Sequence, residues 1–235
     1  MEALACSMRE DVLAAVLAAD KELSRDEPEV AANIGKQLEH MGLSTWSISV
    51  RRRIRDSIAR LRPRTIIQTG AAIGHLTAWI LDYYEGKDDL EKFQIIEEGN
   101  RFAVILARLC QRYAEVPTNI VVGAPLLLTS ELKAWTISKV GEPPILENAD
   151  AIIVDASMER LAEDVSSMLP LLNKNGVLFT TEPEPPVGDR DEEDPEVVGF
   201  NKWMDLIRDS NETHHIAFAP LFGGTIVAWL PKNLK

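Results

Sequence analysis

The segment TIIQTGAAIGHLTAWIL, Thr65 to Leu81, holds the residues whose types and spacing most plainly suggest chemistry. A β-branched apolar run leads into Gly70 and Gly74, and an amphipathic stretch follows. Glycine lets the backbone turn sharply and approach a ligand where a Cβ would collide, and the helix that follows offers unpaired N–H donors. Such a G-x-x-x-G turn can cradle a nucleotide cofactor, or it can be a strand-to-helix turn packed for its own sake. The next strand-like segment, FQIIEEGNRF, favours the first reading, because its apolar part runs into Glu97, 27 residues after Gly70. A carboxylate there can accept two hydrogen bonds from a ribose diol. Glu98 is the competing acid; strand alternation and a helix beginning near Asn100 favour Glu97. Asp155, at the end of AIIVDAS, reads either as a ligand-holding acid or as a cap on the following helix. His75, directly after Gly74, is the histidine placed to act as a base beside a cofactor. His40, His214 and His215 show no metal-ligand spacing.

The elements that must position these residues follow from periodicity. Up to about residue 60 the chain reads as helices: Val12, Val16 and Leu17 share one face, and Ala31, Ile34, Leu38 and Met41 share another, stopped by Gly42. After Pro63, short β-branched runs alternate with amphipathic segments, the pattern of βαβ units on a parallel sheet. Strands are predicted at Thr65–Thr69, Phe93–Glu97, Asn119–Val122, Ala151–Asp155 and Val177–Thr181, with helices at Leu76–Tyr84, Arg101–Ala114, Leu126–Val140 and Glu159–Leu172. The end differs: a helix at Phe200–Ile207 precedes two strands, His215–Ala219 and Thr225–Leu230, around Gly223-Gly224. That is an antiparallel hairpin. The expected fold is therefore α/β and Rossmann-like, a mostly parallel seven-stranded sheet closed by the hairpin. It forms one domain, with residues 1–62 as an N-terminal helical segment and 63–235 as the core.

From Met41 to Leu230 the residues resemble the metal-dependent O-methyltransferases of the catechol and caffeoyl-coenzyme A type. The family's E-I-G-T-x-T-G-Y-S-T is similar to Gln68 to Thr77, its I-E-I-D/N-P to Ile96 to Asn100, and its F-I-D-A-D-K to the stretch around Asp155. LPLLNKNGVLFTTEP resembles the family's L-P-L-L-R-P-G-G-L-I-V-A-D-N-V, Gly199-Phe200-Asn201 its R-x-F-N element, and APLFGGTIVAWL its closing strand pair. The resemblance implies a class I methyltransferase fold and S-adenosylmethionine as cofactor. Gln68, Gly70, Ala71, Gly74, Glu97, Glu98, Ala124 and Asp155 would lie around that cofactor, and its methyl group would pass to an oxygen of a small-molecule acceptor. In the family a magnesium ion holds the acceptor oxygen. The aligned ligands here are Asp155, Thr181 and Glu182 where the family has Asp, Asp and Asn, and Met158 stands where it has a lysine. Asp155 and Glu182 remain as candidate metal ligands of a degraded site, so metal dependence is an open expectation. Gln68 replaces the motif's first acid, and Ala124-Pro125 replaces an Asp-Ala pair near adenine. Asp155 and His75 are the candidate catalytic residues.

Bulk properties bound the alternatives. The chain has 235 residues, 46% of them apolar, and its apolar runs are far shorter than a membrane span. With Cys6 and Cys110 alone there is no disulfide framework. A soluble, cytoplasmic protein is expected, and the resemblance together with the apolar N-terminal helices suggests a homodimer. A net charge of −12 repels nucleic acid in bulk. Seven arginines nevertheless fall between Arg51 and Arg64, read first as a solvated basic face and second as a phosphate or RNA anchor. An acidic, proline-bearing stretch runs from Glu182 to Glu196. Competing functions are a non-catalytic descendant that binds without turnover, an RNA or nucleotide methyltransferase, and, least favoured, a nicotinamide dehydrogenase, which would want the third glycine of G-x-G-x-x-G.

Overall fold

In the computed structural model the described residues are 2–232. Three helices, α1 (Glu2–Leu17), α2 (Glu29–His40) and α3 (Ile48–Leu61), precede the sheet. The alternating part then runs β1 (Thr65–Thr69), α4 (His75–Tyr84), β2 (Lys92–Glu97), α5 (Asn100–Arg112), β3 (Thr118–Val122), α6 (Pro125–Ser138), β4 (Ala149–Val154), α7 (Met158–Met168) and β5 (Leu172–Thr181). It closes with α8 (Pro195–Ser210), β6 (His214–Leu221) and β7 (Gly224–Pro231). Strand order is β3-β2-β1-β4-β5-β7-β6, with β1 to β5 mutually parallel and β7 antiparallel to both β5 and β6. The expected α/β Rossmann-like sheet with a terminal hairpin is present.

The sheet works as a partition because consecutive strand side chains point to opposite faces. Ile66, Phe93, Ile95, Ile153 and Phe179 join the core under α1 to α5, while Ile67, Ile96, Ile152, Val154 and Leu178 join the core under α6 to α8. The central strands are therefore apolar on both sides, which is why they read as continuous runs. Chain order reverses between β1 and β4, so the connections from these two strands leave on opposite faces and open a crevice at their carboxyl ends.

Several boundaries differ from the sequence reading, each for a local reason. On α1 it is Leu13, not Val12, that is buried with Val16 and Leu17. Met41 is exposed, because α2 stops at His40 and Gly42 turns away at φ +66°. β4 ends at Val154, which leaves Asp155 just beyond the strand. β5 begins at Leu172 rather than Val177, since exposed polar residues at its start hid it from periodicity. α8 begins at Pro195, where the Asp194 side chain accepts from the Glu196 amide. Cys110 is a buried free thiol, and the side chain of Cys6 lies outside the described residues. Among the described residues no helix is long and apolar enough to cross a membrane.

The arginines of α3 do not form a solvated basic face, because α3 is packed beneath α1 and residues 18–28, and four of its five arginines donate to backbone carbonyls of residues 15–25; Arg62 and Arg64, beyond the helix, are exposed. Arg53 reaches the Leu17 carbonyl at 2.6 Å, Arg55 the Ser24 carbonyl at 2.7 Å, and Arg52 the Arg25 carbonyl at 3.0 Å. Arg60 Nη1 donates to the carbonyls of Ala15 and Ala18 at 2.9 and 2.7 Å. The carbonyls of Ala15, Leu17 and Ala18 sit at or just after the α1 C-terminus, where helical partners have run out and the dipole favours a cation, and those of Ser24 and Arg25 belong to the irregular segment beyond it. Arg51 and Arg55 are buried outright, Arg55 against the Asp56 carboxylate and over the Trp79 ring. A helix whose guanidinium groups are tied up in this way offers little to RNA phosphates. Arg60→Met keeps the aliphatic stem and removes the donors, so it should cost about 1–2 kcal/mol in urea unfolding; a loss under about 0.3 kcal/mol would mean that the carbonyls are as well served by water.

Candidate functional site

At the carboxyl end of β1 the backbone turns at Gly70 with φ +68°. A Cβ on Gly70 would stand 1.8 Å from the carbonyl oxygen of Asp155, so no other residue fits without parting β1 from the end of β4. The Asp155 amide in turn donates to the Thr69 carbonyl. Gly74 caps α4 at φ +92°, and a Cβ there would meet Leu109 Cδ2 at 2.5 Å. Gly74 thus lets α4 pack against α5, and it is not among the residues lining the two cavities described below.

Glu97 holds the turn from the next strand. One carboxylate oxygen accepts from the Ala72 amide at 2.8 Å and the other from the Gly99 amide at 2.9 Å. Each oxygen keeps a second lone pair. A cavity of about 300 Å³ opens here, lined by Gly70, Glu97, Glu98, Pro125, Asp155, Arg160 and Asp164 among others. Its walls carry four carboxylates and one guanidinium. Glu98, which the sequence left as the alternative to Glu97, is paired with Arg160 at 2.5 Å, and Arg160 also reaches Asp164 at 3.3 Å. The Glu98 hydrogen bond is the largest influence raising the Arg160 pKa, so that guanidinium stays charged. Arg160 and Asp164 escaped the sequence reading; their i, i+4 spacing was the available signal.

Asp155 also lines a second, smaller cavity of about 30 Å³ on the other side of the glycine turn. Gln68, Ala71, His75, Arg51, Thr45 and Trp46 contribute to it. Gln68 is buried and accepts from the Thr77 hydroxyl at 3.0 Å. Burial raises the Asp155 carboxyl to about 7. His75 is buried, with Nε2 3.0 Å from Glu27 Oε1; burial first and the Arg51 charge second push its pKa below the ordinary value, against the pull of Glu27. Burial opposes ionisation of Glu27, yet the hydrogen bond from His75 and the Arg51 charge outweigh it and hold the carboxyl below the usual range. Glu27, on a connecting segment with no motif around it, gave no sequence signal at all.

Two other candidates fall outside the cavities. Ala124 is the N-cap of α6, and its neighbour Pro125 is the residue that reaches the larger cavity. Glu182 is exposed, with its amide bonded to the Thr225 carbonyl. A magnesium ion wants several hard oxygen ligands, and the residues do not fit one: Thr181 is neutral and Glu182 lines neither cavity, which leaves Asp155 as the single carboxylate of the three aligned positions at the cavities. Among the described residues no group of three or more His, Cys, Asp or Glu could hold a metal. Of the remaining histidines, His40 faces the Lys36 carbonyl within its own helix, and His214 contacts the Thr213 hydroxyl.

The fold is that of Rossmann-like methyltransferase domains, a parallel sheet closed by an antiparallel hairpin. No family model matches the sequence, and no curated protein sequence matches it. Solved structures do. The O-methyltransferase TomG from Streptomyces achromogenes, in complex with S-adenosylmethionine, aligns at TM-score 0.65 and 15% identity over 88% of this chain and 92% of its own. An O-methyltransferase from Bacillus cereus in complex with S-adenosylhomocysteine aligns at TM-score 0.63 and 15% identity, over 87% and 92%. A Staphylococcus aureus protein provisionally assigned as a caffeoyl-CoA O-methyltransferase aligns at 0.64 and 15%, over 95% and 99%. At such identities the likeness is one of fold.

The raised Asp155 carboxyl carries a stability consequence. Its pKa stands near 3.8 in the unfolded chain and about 7 in the folded one, so between these pH values the folded state binds the extra proton. Stability on this account is full below about pH 4 and falls as pH rises through 7. Asp155→Asn should therefore stabilise the protein at pH 8, on the order of 2–4 kcal/mol, and hardly at all at pH 4. Thermal unfolding across that range checks it, and a pH-independent difference would contradict the buried-acid assignment.

Proposed function

We propose that this protein binds S-adenosylmethionine in the larger cavity and transfers its methyl group to an oxygen of a small molecule. The observation that carries this reading is the cavity at the carboxyl ends of β1, β2 and β4, where the Gly70 turn and the buried Glu97 carboxylate meet. Its volume is at the lower end of ligand-sized pockets. When bound, the cofactor supplies an electrophilic methyl on a positively charged sulfur. Glu97, Glu98 and Asp164 against Arg160 leave the walls net acidic, which suits a cation of that kind. The free lone pairs of Glu97 can accept a ribose diol while its backbone bonds keep the carboxylate in place. Thr45 and Trp46 line the smaller cavity beside Gly70 and Asp155. The fold neighbours that hold S-adenosylmethionine and S-adenosylhomocysteine support the cofactor class.

A second reading is favoured by the poor fit of the metal ligands: a protein that keeps the cofactor site and acts by binding. It predicts cofactor affinity without turnover. Calorimetric titration with S-adenosylmethionine and S-adenosylhomocysteine separates these readings from failure of both. Saturable binding is expected, weakened at least roughly tenfold by Glu97→Ala, or about 1.4 kcal/mol. An intact protein that takes up neither ligand at millimolar concentration would sink the proposal. The same reading takes the protein as a cytoplasmic homodimer formed through the N-terminal helices, where Val12, Met41 and Ile48 are exposed. Light scattering giving a monomer mass at micromolar concentration would remove the dimer.

A further inference from the structure

We infer that Glu27 and His75 form a carboxylate–imidazole pair in which His75 Nδ1 is the base that receives the proton of the acceptor hydroxyl. The inference rests on the methyl-transfer reading and adds the proton's destination. Glu27 Oε1 is met by three donors: Arg51 Nη2 at 2.9 Å, His75 Nε2 at 3.0 Å and Trp79 Nε1 at 3.3 Å. A carboxylate only accepts, so Nε2 carries the hydrogen and Nδ1 of the neutral ring presents a lone pair. The ring is packed against Gly35, where a Cβ would lie 2.8 Å from His75 Cε1, so steric contact as well as hydrogen bonding holds its orientation.

Nδ1 is buried and has no hydrogen-bond partner among the described residues. A buried acceptor without a partner is costly and calls for an explanation. His75 lines the smaller cavity, which also reaches Gly70 and Asp155 and so adjoins the larger one. Its volume of about 30 Å³ suits a single hydroxyl, not a whole acceptor. A base fixed in one tautomer by a carboxylate is the arrangement by which hydroxyl groups are activated elsewhere. Asp155 shares the cavity, but burial alone acts on its carboxyl, with no hydrogen bond to orient it.

The step balances. The acceptor O–H bond breaks and its proton goes to Nδ1. The oxygen's electron pair forms the bond to the methyl carbon, and the carbon–sulfur pair returns to sulfur, which becomes neutral. Glu27 offsets the charge of the resulting imidazolium, and water later removes the proton. Glu27 is a positioning residue, and His75 is the catalytic one.

The test is long-range ¹H–¹⁵N NMR of the histidine rings in the full chain with saturating S-adenosylhomocysteine, with phenol, catechol and methanol as probes. The expected result is a neutral His75 with hydrogen on Nε2, an Nδ1 resonance that moves on adding a probe, and a mixed tautomer in Glu27→Gln. Labelled methyl transfer from S-adenosylmethionine to whichever probe moves Nδ1 should fall by roughly 100-fold in His75→Gln, with S-adenosylhomocysteine affinity unchanged by calorimetry. Hydrogen on Nδ1, an Nδ1 resonance unmoved by every probe, or undiminished transfer in His75→Gln would overturn the pair while leaving the cofactor site standing. Failure of the intact protein to bind S-adenosylhomocysteine would instead bring down the methyl-transfer reading, and this proposal with it.

Discussion

The contact on which the rest of the site depends is the approach of the Gly70 backbone to the carbonyl of Asp155. It joins the end of β1 to the end of β4 at the point where strand order reverses, and so sets the width of the crevice between them. Glu97 extends the constraint to β2, because its carboxylate ties the Ala72 amide of the turn to the Gly99 amide beyond its own strand. Three strand ends are thereby held in one arrangement by a missing Cβ and one buried acid. Any side chain at Gly70 would have to separate the strands before it could touch a ligand.

The N-terminal helices depend on a different interaction, between arginines of α3 and backbone carbonyls of residues 15–25. Those carbonyls belong to a helix end and an irregular segment, which cannot pair their own polar groups internally. Guanidinium donors from α3 do it for them. Glu27 follows directly on this pinned segment, which brings its carboxylate to Arg51, His75 and Trp79. The basic character of α3 and the geometry around His75 are thus parts of one arrangement.

Much of the fold could be read from the sequence because the central strands are buried on both faces. Apolar runs such as Ile66-Ile67 and Ile152-Ile153-Val154 carry their meaning without reference to neighbours. Boundaries failed where local chemistry outweighed periodicity, as at Asp194, which starts α8 by capping, and at Leu172, whose strand opens on polar residues. Within the site, Gly70, Glu97 and Asp155 stood out because each sits at a strand end, where periodicity breaks. At Gly74 the missing Cβ makes room for Leu109 of the next helix, a contact that the local sequence does not record.

What the sequence by itself determined is the alternation of strands and helices, the closing hairpin and the acid after the glycine turn, all consequences of interactions within a few residues or of burial on both faces. Only the tertiary structure decided that the five arginines of α3 serve the protein's own backbone, that Arg160 lies across to Glu98, and that Glu27 meets His75 from 48 positions away. A charged side chain's partner is chosen by whichever polar groups the packed elements leave unsatisfied nearby. That choice is made in space, and no spacing along the chain records it.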